Sequence, residues 1–166
     1  MSQREYFQEA MPGDVCFGCG SANPAGLHIH SYWEGDDAVC RWQPEKIHEG
    51  WEGVTCGGII ATLIDCHCMA TAMATAIRNE NRPLKSEPHY RFATGSLNIR
   101  YLKPTNNDQE LELRAQVTEI KNEKKYTVDC VLYVDGEKTA EATVVAFLVY
   151  RSDQPDSGTS QFKSRE

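Results

Sequence analysis

A chain of 166 residues is long enough for one domain with a sizeable core, and 40% hydrophobic with 25% charged residues is ordinary for a soluble globular protein. The net charge of −7 works against general nucleic-acid or membrane-surface binding, which needs a surplus of lysine and arginine. No charged and then apolar leader follows Met1, and seven cysteines without regular spacing read as free thiols, so a reducing, cytoplasmic setting is expected.

Residues 1–15 carry mixed charge without a convincing period and read as an N-terminal arm, either a lead-in helix or a mobile segment. The run C-F-G-C-G-S-A-N-P-A-G-L follows from Cys16. Its C-x-x-C is half of a zinc site, but no second pair follows at finger spacing. His28, His30, Cys40 and Cys56 are the side chains able in principle to complete a tetrahedron, and the reading adopted is a glycine-rich turn with two buried thiols, Cys16 and Cys19, and no metal. Residues 27–33 alternate Leu27, Ile29, Ser31 and Trp33 against His28, His30 and Tyr32; residues 38–42 come after the turn Glu34-Gly35-Asp36-Asp37. Two paired strands are expected, with both histidines facing solvent. Pro44 ends the second strand, and residues 47–55 read as a loop.

Residues 56–77, C-G-G-I-I-A-T-L-I-D-C-H-C-M-A-T-A-M-A-T-A-I, predict an almost wholly apolar helix with one carboxylate in its middle. Glycines at the first turn leave backbone N–H groups bare, so Gly57 and Gly58 put an electropositive, oxyanion-ready end on the helix. Asp65 sits among Ile, Leu, Ala and Met, where burial should raise its pKa toward the range of a general base. A core helix whose Asp65 is satisfied by a backbone donor is the plainer alternative. The length suits a membrane span, but Asp65, His67 and a mean hydropathy of −0.52 oppose one. From Gly57 to Asp65 is about 12 Å of helix rise, too far for one carbonyl to touch both. If both serve one substrate, they come from two copies of the helix, which makes an obligate dimer with composite sites. His67, two positions on from Asp65, points the other way and reads as a core or interface histidine.

Residues 78–91 are polar and proline-interrupted, a surface connection. A meander of four strands is expected next, over 93–103, 111–120, 126–134 and 138–150. The first alternates Leu97, Ile99 and Tyr101 with Ser96, Asn98 and Arg100; the last is apolar on both faces, as a central or interface strand would be. Asp135-Gly136 is the strongest hairpin signal in the chain. Residues 151–166 have little to bury and read as a disordered tail. Two strands, a long buried helix and four strands are packed most simply as an α+β domain, an antiparallel sheet wrapped around one long central helix.

Three stretches now carry a resemblance: Cys16 to Leu27, then H48-E-G-W-E-G-V-T-C-G-G-I-I-A-T-L-I-D65, then T94-G-S-L-N-I-R-Y-L-K-P104. Over residues 16–150 the chain resembles hotdog-fold acyl-CoA thioesterases of the phenylacetyl-CoA and 4-hydroxybenzoyl-CoA type. The resemblance implies a hotdog domain at 16–150. It makes Asp65 the general base or nucleophile, the Gly57 amide the oxyanion hole and Thr94 a hydroxyl assisting the attacking water. It also implies an acyl-CoA substrate, a homodimer or a dimer of such dimers, and no metal or organic cofactor. Cys56, Gly58, Asn98, Arg100 and Lys103 are the substrate-binding candidates. The cationic excess of Arg78, Arg82, Lys85, Arg91, Arg100 and Lys103 would meet coenzyme A phosphates or form a solvated face. His48 would position the substrate carbonyl or cap its loop.

The sequence departs from that pattern twice. Cys56 stands where a histidine usually precedes the glycine pair, and Cys66-His67-Cys68 follows the acid. Cys56 as a covalent nucleophile is the alternative this raises. A hotdog hydratase or dehydratase is a second alternative, disfavoured by the His48 to Asp65 spacing and by Gly-Gly in place of Pro-Gly. A non-catalytic acyl-CoA-binding dimer is the third.

Overall fold

The computed structural model describes residues 3–156, 158 and 160–162. The apolar run forms helix α1, Gly57–Asn79, with Cys56 as its N-cap. Apolar residues surround most of its circumference, and the fold buries it accordingly: Leu63, Ile64, Cys68, Ala70 and Ala72 have no exposed surface. By length and composition α1 is apolar enough to cross a membrane, but 67% of its most apolar window is buried inside the domain.

The strands are β1 Ser31–Glu34, β2 Asp37–Trp42, β3 Glu49–Trp51, β4 Val54–Thr55, β5 Tyr90–Tyr101, β6 Leu111–Lys121, β7 Lys125–Val134 and β8 Glu137–Arg151. Six of them make one antiparallel sheet in the order β1-β2-β6-β7-β8-β5, while β3 and β4 pair separately within the segment expected to be a loop. Leu111 and Leu113 of β6, Val128 and Leu132 of β7 and Val144 of β8 form the inner face with the helix and are fully buried. One long helix held against a six-stranded antiparallel sheet is the α+β hotdog architecture. Asp135 and Gly136 turn β7 into β8 with φ of 49° and 75°, the signs a type I′ hairpin requires.

Two further expectations change. The first strand begins at Ser31 instead of residue 27, because His28 has φ of 54°, outside the extended region; His28 and His30 are nevertheless exposed. The last four strands are not a simple meander. β6, β7 and β8 are consecutive neighbours, but β5 pairs with β8 at the sheet edge, Leu97 opposite Val144. The 102–110 connection therefore crosses the end of the sheet, where the Thr55 amide donates to the Thr105 carbonyl and Thr105 Oγ1 to Thr139 Oγ1, both at 2.8 Å. Alternating apolarity shows that a strand has a buried face, not which neighbour it takes.

Of the two readings of the arm, a short lead-in helix is the one present. Phe7–Ala10 forms a 3-10 turn with Phe7 and Ala10 buried in the core, so this part of 1–15 is packed. At the other end β8 continues to Arg151, and Ser160–Phe162 makes another 3-10 turn, where the Phe162 carbonyl accepts from Arg91 Nη1 at 3.0 Å. The disorder expected over 151–166 falls in part on positions 157, 159 and 163–166, which lie outside the described residues, as do residues 1 and 2 of the arm.

Candidate active site

Strand β5 touches α1 through Thr94 and Tyr101, seven positions apart. In a regular strand an odd separation would put them on opposite faces. A register shift between Thr94 and Ser96 adds one residue and brings both to the helix side. Gly95 occupies the bulge, where a Cβ would lie 2.3 Å from the Phe147 ring.

Thr94 Oγ1 donates to Asp65 Oδ1 at 2.5 Å. Asp65 is half-buried, and that burial raises its carboxyl pKa above the usual range, with the nearby Cys16 adding to the rise and the Thr94 hydrogen bond opposing it. Its donor is thus a side-chain hydroxyl, where the plainer sequence reading had a backbone group.

At the start of the same helix Gly57 and Gly58 are exposed, and no side chain caps the terminus. Tyr101 Oη donates to the Gly57 carbonyl at 2.7 Å. Within one chain the glycine amides and Asp65 stay about 12 Å apart along the axis.

The other predicted residues fall as follows. His48 is buried, accepts the Glu45 amide on Nδ1 at 2.8 Å and packs its ring on Trp42 with centroids 4.8 Å apart. Its carbonyl accepts the Cys56 amide at 2.8 Å, so His48 braces the loop that delivers the N-cap. The Cys56 side chain makes no capping hydrogen bond and is partly exposed. Asn98 and Arg100 lie beyond the bulge on the outer face of the sheet, with Arg100 paired to its register partner Glu141 at 2.9 Å; Lys103 pairs with Glu137. They do not join Asp65 within one chain. The remaining cations are engaged too: Arg78 over Trp33, Arg82 on Glu80, Lys85 on Glu9.

His67 is fully buried, donating from Nε2 to the Ala38 carbonyl at 3.1 Å and accepting Ser31 Oγ on Nδ1 at 2.8 Å. Burial lowers its pKa to about 4. It is a core histidine, turned away from the acid.

Two residues lie beyond the reach of sequence reasoning. In the alternation of its strand Tyr101 is only an apolar-face position. Cys66 carries no zinc-site signal because its neighbours in space lie about 50 residues earlier: Cys16, Cys19 and Cys66 have their sulfurs within 4.8 Å of one another. None of His28, His30, Cys40 or Cys56 joins that group. A cleft of about 390 Å³, lined by Asp14, Cys16, Tyr90, Phe92, Tyr150 and Phe162 among others, reaches Cys16 of the three and does not include Asp65.

A family model described as the thioesterase superfamily matches residues 52–141. A thioesterase superfamily protein from Shewanella loihica PV-4 is 34% identical, with the match covering 76% of this chain and 95% of that one at a TM-score of 0.60. The chain belongs to the thioesterase superfamily. Two further structures share the fold. The Escherichia coli PaaI protein of the phenylacetic acid degradation operon is 13% identical (75% of this chain, 81% of that one, TM-score 0.60). A Bacillus halodurans protein solved with CoA is 23% identical (75% and 76%, TM-score 0.57). A search among curated proteins gave no match. The superfamily match takes in the glycine pair, Asp65 and Thr94, and leaves out His48, Cys16 and Cys19.

Proposed function

We propose that this thioesterase-superfamily protein hydrolyses an acyl-coenzyme A thioester at sites shared between two copies of the chain, in the cytoplasm. The observation that carries the reading is Asp65, half-buried and hydrogen-bonded to Thr94, on the same helix whose uncapped start exposes Gly57. A tuned carboxylate and a bare backbone donor are what acyl transfer needs. The thioester carbonyl oxygen sits on the Gly57 amide of one copy. Asp65 of the other takes a proton from water through Oδ2, Oδ1 being held by Thr94, as the water oxygen bonds to the carbonyl carbon. The tetrahedral intermediate then expels the thiolate, to which Asp65 returns that proton to give coenzyme A, and the carboxylic acid product loses its own proton to solvent. Direct attack by Asp65, through an anhydride that water opens, uses the same placement.

Two features support sharing: the 12 Å estimate from helix rise, and β5 as an edge strand with Leu97 and Tyr101 37% and 53% exposed. Coenzyme A as the carrier is supported by the Bacillus halodurans relative, solved with CoA. No metal or organic cofactor enters this chemistry.

The test is thiol release from aromatic, short-chain and long-chain acyl-CoAs, followed with a disulfide dye against an enzyme-only blank, since Cys16 and Cys56 are partly exposed thiols. Release with at least one acyl class, abolished in Asp65→Asn, supports the reading. Enoyl-CoA absorbance lost without thiol release would make the protein a hydratase, and binding without turnover a non-catalytic acyl-CoA-binding dimer.

A further inference from the structure

The C-x-x-C turn, left without a task by the hydrolytic site, meets a third thiol from α1. We infer that Cys16, Cys19 and Cys66, with water or a shifted Asp14 completing the fourth corner, form a site for one thiophilic divalent cation of the zinc class.

Five observations carry this. Cys16 Sγ and Cys66 Sγ are 3.8 Å apart, and all three sulfurs lie within 4.8 Å of one another. Two sulfurs on a tetrahedral zinc, each at about 2.3 Å, stand roughly 3.8 Å apart, so the thiols need little movement to close on an ion. The turn is also shaped for a thiolate: the Gly18 amide donates to Cys16 Sγ at 3.4 Å, and the Gly20 amide closes the turn on the Cys16 carbonyl at 2.9 Å. Gly18 is needed there, because a Cβ would lie 2.4 Å from Cys66 Sγ.

Asp14 stands beside the three sulfurs: its Oδ2 is 3.9 Å from Cys19 Sγ and its Oδ1 accepts from the Cys16 amide at 2.9 Å, so the carboxylate reaches the ion only after a shift, and water otherwise takes the fourth corner. Asp14 and Cys16 both line the 390 Å³ cleft, which gives the ion a way in. Three soft sulfurs select zinc over magnesium or calcium. Binding exchanges thiol protons for metal–sulfur bonds, the protons passing to solvent. The ion would tie the loop after the arm to the turn of α1 next to Asp65, a structural role independent of whether the protein is a hydrolase.

The test uses the full chain without a histidine tag, stripped of metal under reducing conditions and titrated with Co²⁺ alone. Expected are one Co²⁺ per chain, intense thiolate-to-cobalt charge-transfer absorption, the visible bands of a tetrahedral ion, and displacement by Zn²⁺. Cys56→Ser should titrate like the parent. Cys19→Ser should lose the charge-transfer band. Gly18→Ala, which keeps every sulfur, should weaken binding at least tenfold; circular dichroism identifies any variant that has unfolded. Absence of a charge-transfer band in the reduced, folded parent protein overturns the site. So does a band that survives Cys19→Ser and Gly18→Ala unchanged. A Cys16–Cys66 disulfide found by peptide mapping of freshly purified, metal-free protein would overturn it as well and make the pair a redox couple.

Discussion

Thr94 Oγ1 and Asp65 Oδ1 lie 2.5 Å apart across the seam between β5 and α1, and this hydroxyl is the polar group that offsets part of the cost of burying the acid. The placement depends on the bulge at Gly95, without which Thr94 and Tyr101 would not both face the helix. One backbone irregularity thus serves both ends of the proposed site.

Asp65→Asn keeps the size of the side chain and removes its basicity, so kcat should fall roughly 100- to 10,000-fold, the range general-base catalysis covers. Thr94→Val removes a hydrogen bond that favours the charged carboxylate. The Asp65 pKa, already raised by burial, should rise further, and the acid limb of kcat/KM should move to higher pH. Steady-state pH profiles of the two proteins decide it; a limb that stays in place would remove Asp65 from the proton transfer.

Gly57→Pro tests the oxyanion donor with little damage to the fold. Proline is favoured at the first helical position, where it deletes an N–H that has no partner within the helix. The preceding Cys56, at φ −57° and ψ 135°, already has the conformation a following proline imposes. Loss of one oxyanion donor costs about 100- to 1,000-fold in kcat. The measurement is kcat beside the thermal midpoint: unchanged turnover in a folded protein would take the role from Gly57.

Much of this was legible in the sequence, for identifiable reasons. The helix announced itself through an unbroken apolar run, and Asp65 stood out because a carboxylate there needs an explanation. Asp135-Gly136 gave the hairpin its geometry. The place of β5 was not legible, since the residues of an edge strand alternate like those of a central one; only the hydrogen bonds to β8 reveal it. Cys66 escaped because a thiol inside an apolar helix looks like packing until the turn that meets it, 50 residues earlier, is in view. Arg100 and Lys103, singled out by local charge counting, are paired with Glu141 and Glu137 from the neighbouring strand, partners that counting along the chain does not register.

His67 makes the fold acid-sensitive. Its pKa is about 4 in the fold against 6.5 for an exposed histidine, so above pH 6.5 both states are neutral and nothing is lost. Between pH 6.5 and 4 the unfolded chain takes up a proton that the folded one refuses, and stability falls by about 3 kcal/mol in total across that window. His67→Phe removes the ring hydrogen bonds to Ser31 and Ala38 and should be less stable at pH 7.5, but its urea midpoint should fall less steeply than the parent's from pH 6.5 to 4. Comparing the two slopes cancels the contribution of Asp65, whose raised pKa acts in the opposite direction. Equal slopes would mean that His67 protonates freely in the fold.

Sharing of the site is tested by mixing inactive proteins. Asp65→Asn retains the bare Gly57 amide, and Gly57→Pro retains the acid. If each site takes one group from each copy, a heterodimer holds one site with both defects and one with neither. Randomised subunits at equal input are half heterodimer, so with two independent sites per parent dimer the mixture should recover about a quarter of the parent activity. Co-expression with two different affinity tags, followed by tandem purification, isolates the heterodimer, which should then show about half of the parent kcat per dimer. If each helix instead completed its own site, every heterodimer site would carry one defect or the other, and the purified species would stay as inactive as its parents.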